Sequence, residues 1–470
     1  MVYNMRKMQK FIGRDKEKEA FEVLARFRRP SLMVIRGRRR VGKSRLVAEC
    51  AKGRKFLPFA GIGPEPGRGM TAQDQRNAFA HQLAKHFQLP SMTFHDWLEA
   101  FYALEHYLTE EPTVILFDEI SWMADQDPTF VGKLKLWWDS VESRNCPWIL
   151  VLCGSVSIWI EENIIKSTAM FGRISLRIDL QPLRLPECGE FLREIGFKGS
   201  VYEQYKLLAV MGGIPWYLKC IDPQQMANEN IERLCFTPGG LLEKEFIEIF
   251  HDLFSPRGTL HRKIVEALLE GMKTVKEIRE IGNLSDNGAI GKGLEDLIIS
   301  GFVTKHAQWS LKSRKPAKQS LYRLSDCYLR FYLKYIASGH RPSENSYGFQ
   351  VESLLLQNRE LLCEAIGIRK EDIVADNPYL QTQTKHRKGC QVDYLIQTRT
   401  NNLFVCEFKF QKRELGTDMI EEIERKIERL AVPRGHAVVP VLFHIGGVSP
   451  ELEEERYFYR IIDMEKFLSG

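Results

Sequence analysis

The stretch Arg36-Gly37-Arg38-Arg39-Arg40-Val41-Gly42-Lys43-Ser44 leaves this chain few folds to choose from. It is a complete G-x-x-x-x-G-K-S phosphate-binding loop. Before it, Ser31-Leu32-Met33-Val34-Ile35 is a short apolar run that reads as a buried strand, and after it Arg45-Leu46-Val47-Ala48-Glu49-Cys50 reads as the start of a helix. Strand, loop and helix together separate such a loop from a glycine turn before an ordinary helix. Gly37 and Gly42 let the backbone turn tightly and aim N–H groups at phosphate oxygens, and the helix N-terminus adds partial positive charge. Arg38, Arg39, Arg40, Val41 and Arg45 are the other loop contacts expected. Lys43 is placed for the β- and γ-phosphates and Ser44 for Mg²⁺.

Composition limits the rest. The 470 residues suggest about three domains. A hydrophobic fraction of 44% and a charged fraction of 27% are those of a soluble globular protein. The net charge of +6 permits nucleic-acid contact without arguing for it. No apolar run is long enough to span a bilayer, and Met1-Val2-Tyr3-Asn4-Met5-Arg6-Lys7 is followed by no leader-like core. The ten cysteines are scattered without a C-x-x-C pair, and Cys153 and Cys406 lie inside apolar runs. That pattern points to a reducing cytoplasm and away from zinc or a disulfide frame.

A second strong signal is Thr113-Val114-Ile115-Leu116-Phe117-Asp118-Glu119, a buried strand ending on paired acids. Asp118 can hold the Mg²⁺ shell and Glu119 can polarise an attacking water. Trp148-Ile149-Leu150-Val151-Leu152-Cys153 is a further strand ending at Gly154-Ser155, where Ser155 is either a γ-phosphate contact or part of a simple turn. Phe171-Gly172-Arg173 precedes the strand 174–178; Arg173 is either a γ-phosphate-sensing or finger arginine, or a solvated or carboxylate-paired one. Phe11-Ile12-Gly13-Arg14-Asp15-Lys16-Glu17 reads as a helix cap, or as a segment packing near the nucleotide base. Helical patterns cover about 73–87, 94–108 and 128–142; the glycine-rich stretch 61–69 carries no recognisable chemistry. A helical region over 186–220 is broken by Gly212-Gly213-Ile214-Pro215.

Taken together, the 11–17 box, the 37–44 loop, 114–119, Gly154-Ser155, Gly172-Arg173 and Gly212-Gly213-Ile214-Pro215 resemble the AAA-type ATPases common in archaea and many bacteria. These belong to the P-loop superfamily near the signalling STAND ATPases, and the match covers about residues 8–240. The resemblance implies a parallel α/β sheet with a small helical lid, binding ATP and Mg²⁺.

From 258 the character changes. Three helical patterns, over 261–269, from 273 and within 285–299, precede two strands at 301–304 and 321–324. Between the strands lies the basic loop Lys312-Ser313-Arg314-Lys315-Pro316-Ala317-Lys318. Three helices and a hairpin make a winged helix, whose wing either contacts DNA phosphates or docks within the molecule. After a linker at 340–347 and a helix over 349–362, the runs 391–396 and 403–410 read as a hairpin with its turn at Asn401-Asn402. Glu407 and Lys409 share one strand face and Asp393 sits on the first strand. Two carboxylates and a lysine so placed can hold a divalent metal and activate water, or can form a cross-strand salt bridge. Asp393 … Glu407-Phe408-Lys409 resembles the PD-(D/E)XK restriction-endonuclease-like site, without the proline before the first Asp. Either Glu352 or Glu364 fits that family's additional acid.

The fold expected is α/β: a P-loop parallel-sheet core over 1–185, a helical lid over 186–257, a winged helix over 258–338 and a nuclease-like α/β domain over 345–470. Catalytic roles fall to Lys43, Glu119 and Arg173 at one site and to Asp393, Glu407 and Lys409 at the other. Metal ligands are Ser44 and Asp118, and Asp393 and Glu407. The function expected is ATP hydrolysis coupled to DNA binding or processing in the cytoplasm, with no membrane partner and homo-oligomerisation left open. The rival is a nucleotide-gated switch whose C-terminal domain binds a partner and cuts nothing.

Overall fold

Three of the five strands in the first 182 residues, 31–36, 113–118 and 148–153, are too uniformly hydrophobic for a half-exposed sheet, and they form the centre of a parallel one. The computed structural model describes residues 10–63, 69–144, 146–155, 157–254, 258–285, 287–383 and 388–469. Residues 1–7 and the 64–68 part of the glycine-rich stretch lie outside these. The chain divides into two compact units, Met1–Pro182 and Leu183–Gly470.

In the first unit the strands are β1 (Ser31–Arg36), β2 (Lys55–Ala60), β3 (Thr113–Asp118), β4 (Trp148–Cys153) and β5 (Ile174–Asp179). They lie in the order β2-β3-β4-β1-β5, all parallel. Helices Ala72–Phe87, Trp97–His106 and Phe130–Glu142 form where the 3.6-residue patterns place them. Phe79, Trp97, Phe101, Phe130 and Trp137 from these helices meet Phe59 and Phe117 of the sheet in one aromatic core. Rings such as Phe101 and Phe117, stacked with centroids 5.7 Å apart, fix the helices against the sheet. The sheet's C-terminal edge is thereby held rigid, and the loops after β1, β3 and β4 all leave from it.

The second unit opens with helices Leu185–Glu194, Val201–Met211 and Pro215–Lys219. The Gly-Gly-Ile-Pro break has a local cause. Gly212 has φ 59°, a Cβ on Gly213 would stand 2.1 Å from the Leu183 carbonyl oxygen, and Pro215 opens the next helix. Helices Gly258–Ala267, Val275–Ile281 and Asn287–Ile299 follow, the second started by Thr274 and Glu277 in a capping box. Then comes the antiparallel hairpin of β6 (Val303–Trp309) and β7 (Pro316–Leu324).

The helix expected over 349–362 is instead two, Gly348–Gln357 and Arg359–Ile366. Asn358 breaks it: its side chain accepts from the Leu185 N–H at 3.1 Å and donates to the Leu354 carbonyl at 2.8 Å. An asparagine amide competing for backbone partners is a known helix breaker. Five strands complete the unit: β8 (Ile373–Gln381), β9 (Cys390–Thr398), β10 (Asn402–Phe410), β11 (Ala437–Ile445) and β12 (Arg460–Asp463). β8, β9 and β10 are antiparallel, and β10, β11 and β12 are parallel. The expected boundaries at 257 and 338 fall inside this unit.

The tip of the β6–β7 hairpin is seated on the last sheet. Trp309 and Leu311 belong to the same apolar cluster as Val392, Leu395, Leu403 and Val405. All ten cysteines are free thiols, nine of them buried. Among the described residues no helix is long and apolar enough to cross a membrane.

Candidate functional site

The loop after β1 is built by backbone constraints that its residue types satisfy. Gly37 has φ 151° and lies so close to β5 that a Cβ would stand 2.4 Å from the Leu180 carbonyl oxygen. Gly42 has φ 97° and precedes helix Lys43–Cys50. Arg40 is also left-handed, at φ 69°. Lys43 is 6% exposed and folds back over the loop, donating to the carbonyls of Gly37 at 2.9 Å and Arg38 at 3.2 Å. Val41 is buried, and its carbonyl accepts from the guanidinium of Arg14 at 3.3 Å. Arg14, itself buried, thus ties the 11–17 box to the loop. Arg39 is half-buried and Arg45 exposed.

The acids follow from the neighbouring strands. Asp118 ends β3, and its Oδ2 accepts from the Ser44 hydroxyl at 2.5 Å. Glu119 has φ 49°, strained for a residue with a side chain. Its carboxylate accepts from the Ser155 N–H at 3.0 Å and from the Ser155 hydroxyl at 3.0 and 2.8 Å. Gly61 lets β2's loop pass beneath: a Cβ there would stand 2.8 Å from the Glu119 carbonyl oxygen. That glycine's role is not legible in the sequence, since its cause, Glu119, lies 58 positions on.

Arg173 is not brought to this edge. Ile174, the residue after it, is in register with Leu32 near the start of β1, so Arg173 lies at the opposite end of the parallel sheet. Five residues of strand separate those ends, about 16 Å at the usual rise. Its guanidinium is paired with Asp139 at 2.5 and 3.0 Å, and that pairing holds the Asp139 carboxyl down at about 2. Of the alternatives its sequence left open, Arg173 is the carboxylate-paired arginine, at the end of the sheet away from the phosphate loop of its own chain.

The second cluster forms on β9 and β10. Their register, Cys406 opposite Tyr394, continues to set Glu407 beside Asp393. Asp393 Oδ2 accepts from the Phe408 N–H at 3.1 Å. Burial, then the charges of Glu407 and Glu352, push the Asp393 carboxyl up to about 8. Glu407 is 2% exposed and carries two lysines: Lys409 at 3.1 Å and Lys426 at 2.7 and 2.5 Å. Lys409 also donates to Glu422 at 2.8 and 3.0 Å. Glu352, rather than Glu364, faces the cluster, and it is paired with the buried Arg323 at 2.7 Å.

Lys426 and Glu422 were not foreseen. Both sit on helix Asp418–Arg429, and their four-residue spacing was visible, but nothing local says which face meets β10. Among the described residues no group of three or more His, Cys, Asp or Glu is spaced to hold a metal ion.

At the hairpin, the guanidinium of Arg314 donates to Asn401 of the β9–β10 turn. One of the basic residues between β6 and β7 is therefore engaged within the molecule, while Lys315 and Lys318 are exposed.

No protein-family model matches the chain. It is 22% identical over 333 residues to the uncharacterized protein MJECL04 of Methanocaldococcus jannaschii, covering 69% of each chain. Among solved structures it is similar to the Walker-type ATPase PABY2304 of Pyrococcus abyssi, over 71% of this chain and 100% of that one, at 16% identity and TM-score 0.49. The ORC2 protein of Aeropyrum pernix matches over 72% of this chain and 96% of its own, at 14% identity and TM-score 0.45.

Proposed function

We propose that the chain binds ATP with Mg²⁺ at the C-terminal edge of the β1–β5 sheet and hydrolyses it. One observation carries the reading: the phosphate loop, the Ser44–Asp118 pair and the Glu119–Ser155 pair all leave the same edge of the same sheet. Ser44 Oγ and Asp118 Oδ2 are hard oxygen donors already side by side, which suits Mg²⁺. The ion would neutralise charge between the β- and γ-phosphates. Lys43 exchanges a loop carbonyl for a phosphate oxygen, and the loop N–H groups hold the remaining charge. Glu119 takes a proton from the attacking water, its carboxylate aimed by Ser155. Arg173 keeps a role only toward the site of a second copy.

Turnover and nucleotide affinity, measured separately, test this. Lys43→Ala weakens ATP binding. Glu119→Gln keeps ATP bound while turnover falls about 10²–10³-fold, the usual effect of losing one such group. Wild-type turnover in Glu119→Gln removes it as the base.

A second reading concerns the C-terminal sheet, and the raised Asp393 carboxyl favours it. Two carboxylates pressed together beside Lys409 suit a divalent ion and phosphodiester cleavage, with Asp393 and Glu407 as ligands. The three helices and the β6–β7 hairpin are then a winged helix coupling ATP turnover to nucleic acid. Lys426 now bonds both Glu407 oxygens, so a metal has to displace that ammonium. Mn²⁺ or Mg²⁺ then raises the unfolding temperature of the full chain, and Asp393→Asn abolishes the rise. No rise in the wild type leaves the cluster an ion-paired strut, in a protein that works as a nucleotide-gated switch.

A further inference from the structure

Between the tip of the β6–β7 hairpin and the residues after helix Asp418–Arg429 runs an open groove of about 960 Å³. A second groove, of about 490 Å³, shares Gln381 and Arg429 with the first and is lined also by Lys426. Lys312, Lys388, Arg429 and Arg434 line the first groove, and all four are exposed. Among the described residues none of them is paired with a carboxylate, and Glu428 is the one acid in the lining. Several other cations of this unit are matched: Arg323 with Glu352, Lys409 with Glu422, Arg425 with Glu421. Four unmatched cations from three separate stretches of chain thus line one groove.

We propose that this groove binds the sugar–phosphate backbone of a nucleic acid and leads it toward the Asp393–Glu407 cluster. The four cations come from three stretches of chain around one open groove with a single acid in its lining, which suits a ligand of repeating negative charge. Tyr379 also lines the groove, its ring held 5.2 Å from that of Trp309, and offers an aromatic face to a base. An acidic polypeptide has no use for that face. The direction follows from Lys426, which lines the second groove while its ammonium sits on Glu407. The direction rests on the phosphodiester-cleavage reading; the binding does not.

The test is fluorescence anisotropy of labelled 20-nucleotide DNA and RNA, single- and double-stranded, with the full-length protein over a salt series. Replacing Lys312, Lys388, Arg429 and Arg434 together by Ala lowers affinity more than tenfold. It also flattens the log–log salt dependence by about 0.7–0.9 per lost phosphate contact. Lys370→Ala with Arg413→Ala, two exposed cations outside the groove, changes neither. The loop variant Lys312→Ala/Arg434→Ala gives half the effect and guards against misfolding, which the unfolding midpoint also reports. Unchanged affinity and slope in the fourfold variant overturn the proposal, as does equal displacement of the oligonucleotide by poly-glutamate. Binding lost in the fourfold variant but retained in Asp393→Asn, with no cleavage by the wild type, leaves the groove standing and removes only the nuclease reading.

Discussion

Glu119 and Asp393 are carboxylates that each accept a backbone N–H, from Ser155 and from Phe408. Glu119 is held by an N–H and a hydroxyl of Ser155, which fix the direction of its carboxylate. Asp393 meets burial and the charge of Glu407, which favour its protonated form. The sign for stability follows. A carboxyl raised from 3.8 to about 8 binds a proton in the folded state where the unfolded chain has lost it. Stability from that difference is present below the unfolded value and is lost as pH rises toward 8. In metal-free buffer, Asp393→Asn therefore unfolds at a higher temperature than wild type at pH 8, and the gap closes toward pH 4. A gap that grows on acidification would show that Asp393 is charged in the fold. His306 works in the other direction: burial and Arg359 hold its imidazole down at about 3, so stability falls as pH drops below 6.5. The placing of Lys43, Ser44 and Asp118 at one sheet edge was legible in the sequence, because each closely follows or ends an apolar strand. Arg173 was not, because its place depends on which end of a parallel strand it precedes. Lys426 was not, because its partner lies across a helix–sheet contact.

At the scale of elements, the two readings of the β6–β7 hairpin turn on where its tip goes. Gln308 sits in β6, and its side chain both donates to the Pro378 carbonyl at 3.0 Å and accepts from the Leu380 N–H at 3.1 Å. Trp309 donates from its indole to Gln397 at 2.8 Å, and Gln397 donates to the Leu311 carbonyl at 2.9 Å. These side-chain bonds carry β6 across the edge strand β8, a docking that hydrophobic alternation alone cannot specify. Gln308→Ala strands a carbonyl and an N–H where water has little access, which costs about 1–3 kcal/mol each when unmet. The expected result is a loss of about 2–4 kcal/mol in urea unfolding of the full chain, with faster amide exchange in 376–381. A loss under about 0.5 kcal/mol, the range of ordinary surface changes, would mean the hairpin is held by Trp309 and Leu311 alone. The strands β1, β3, β4 and β5 and the β9–β10 hairpin were readable because each is a short apolar or alternating run closed by a turn. β8, β11 and β12 were not picked out. β8 carries Asp376, Asn377 and Pro378, which read as loop until Tyr394 and Gln308 supply partners from outside the strand.

At the scale of the second unit, its two ends meet, and the contact depends on a glycine in a helix. Helix Leu185–Glu194 packs on the terminal helix Lys466–Ser469 so tightly that a Cβ on Gly189 would stand 2.0 Å from the Leu468 carbonyl oxygen. Arg193 donates to that same carbonyl at 2.6 Å, and the buried Tyr205 donates to the Met464 carbonyl at 2.8 Å. Glycine inside a helix normally costs about 1 kcal/mol relative to alanine, so Gly189 is a local weakness that the packing explains. The sequence alone shows the weakness without its reason, since the partner lies 279 positions on. Gly189→Ala should therefore destabilise, although alanine is the better helix former. The clash is with backbone, which has no rotamer to give, so the terminal helix must move. Amide exchange at 464–469 and carboxypeptidase trimming of the last residues should both accelerate. Tyr205→Phe, which removes one hydroxyl without a clash, should accelerate them less. The competing outcome is a rise in stability of about 1 kcal/mol from helix propensity, with unchanged exchange at the C-terminus. That result would show that the two ends do not hold each other, and that the terminal helix can leave the unit without consequence for the helices it covers.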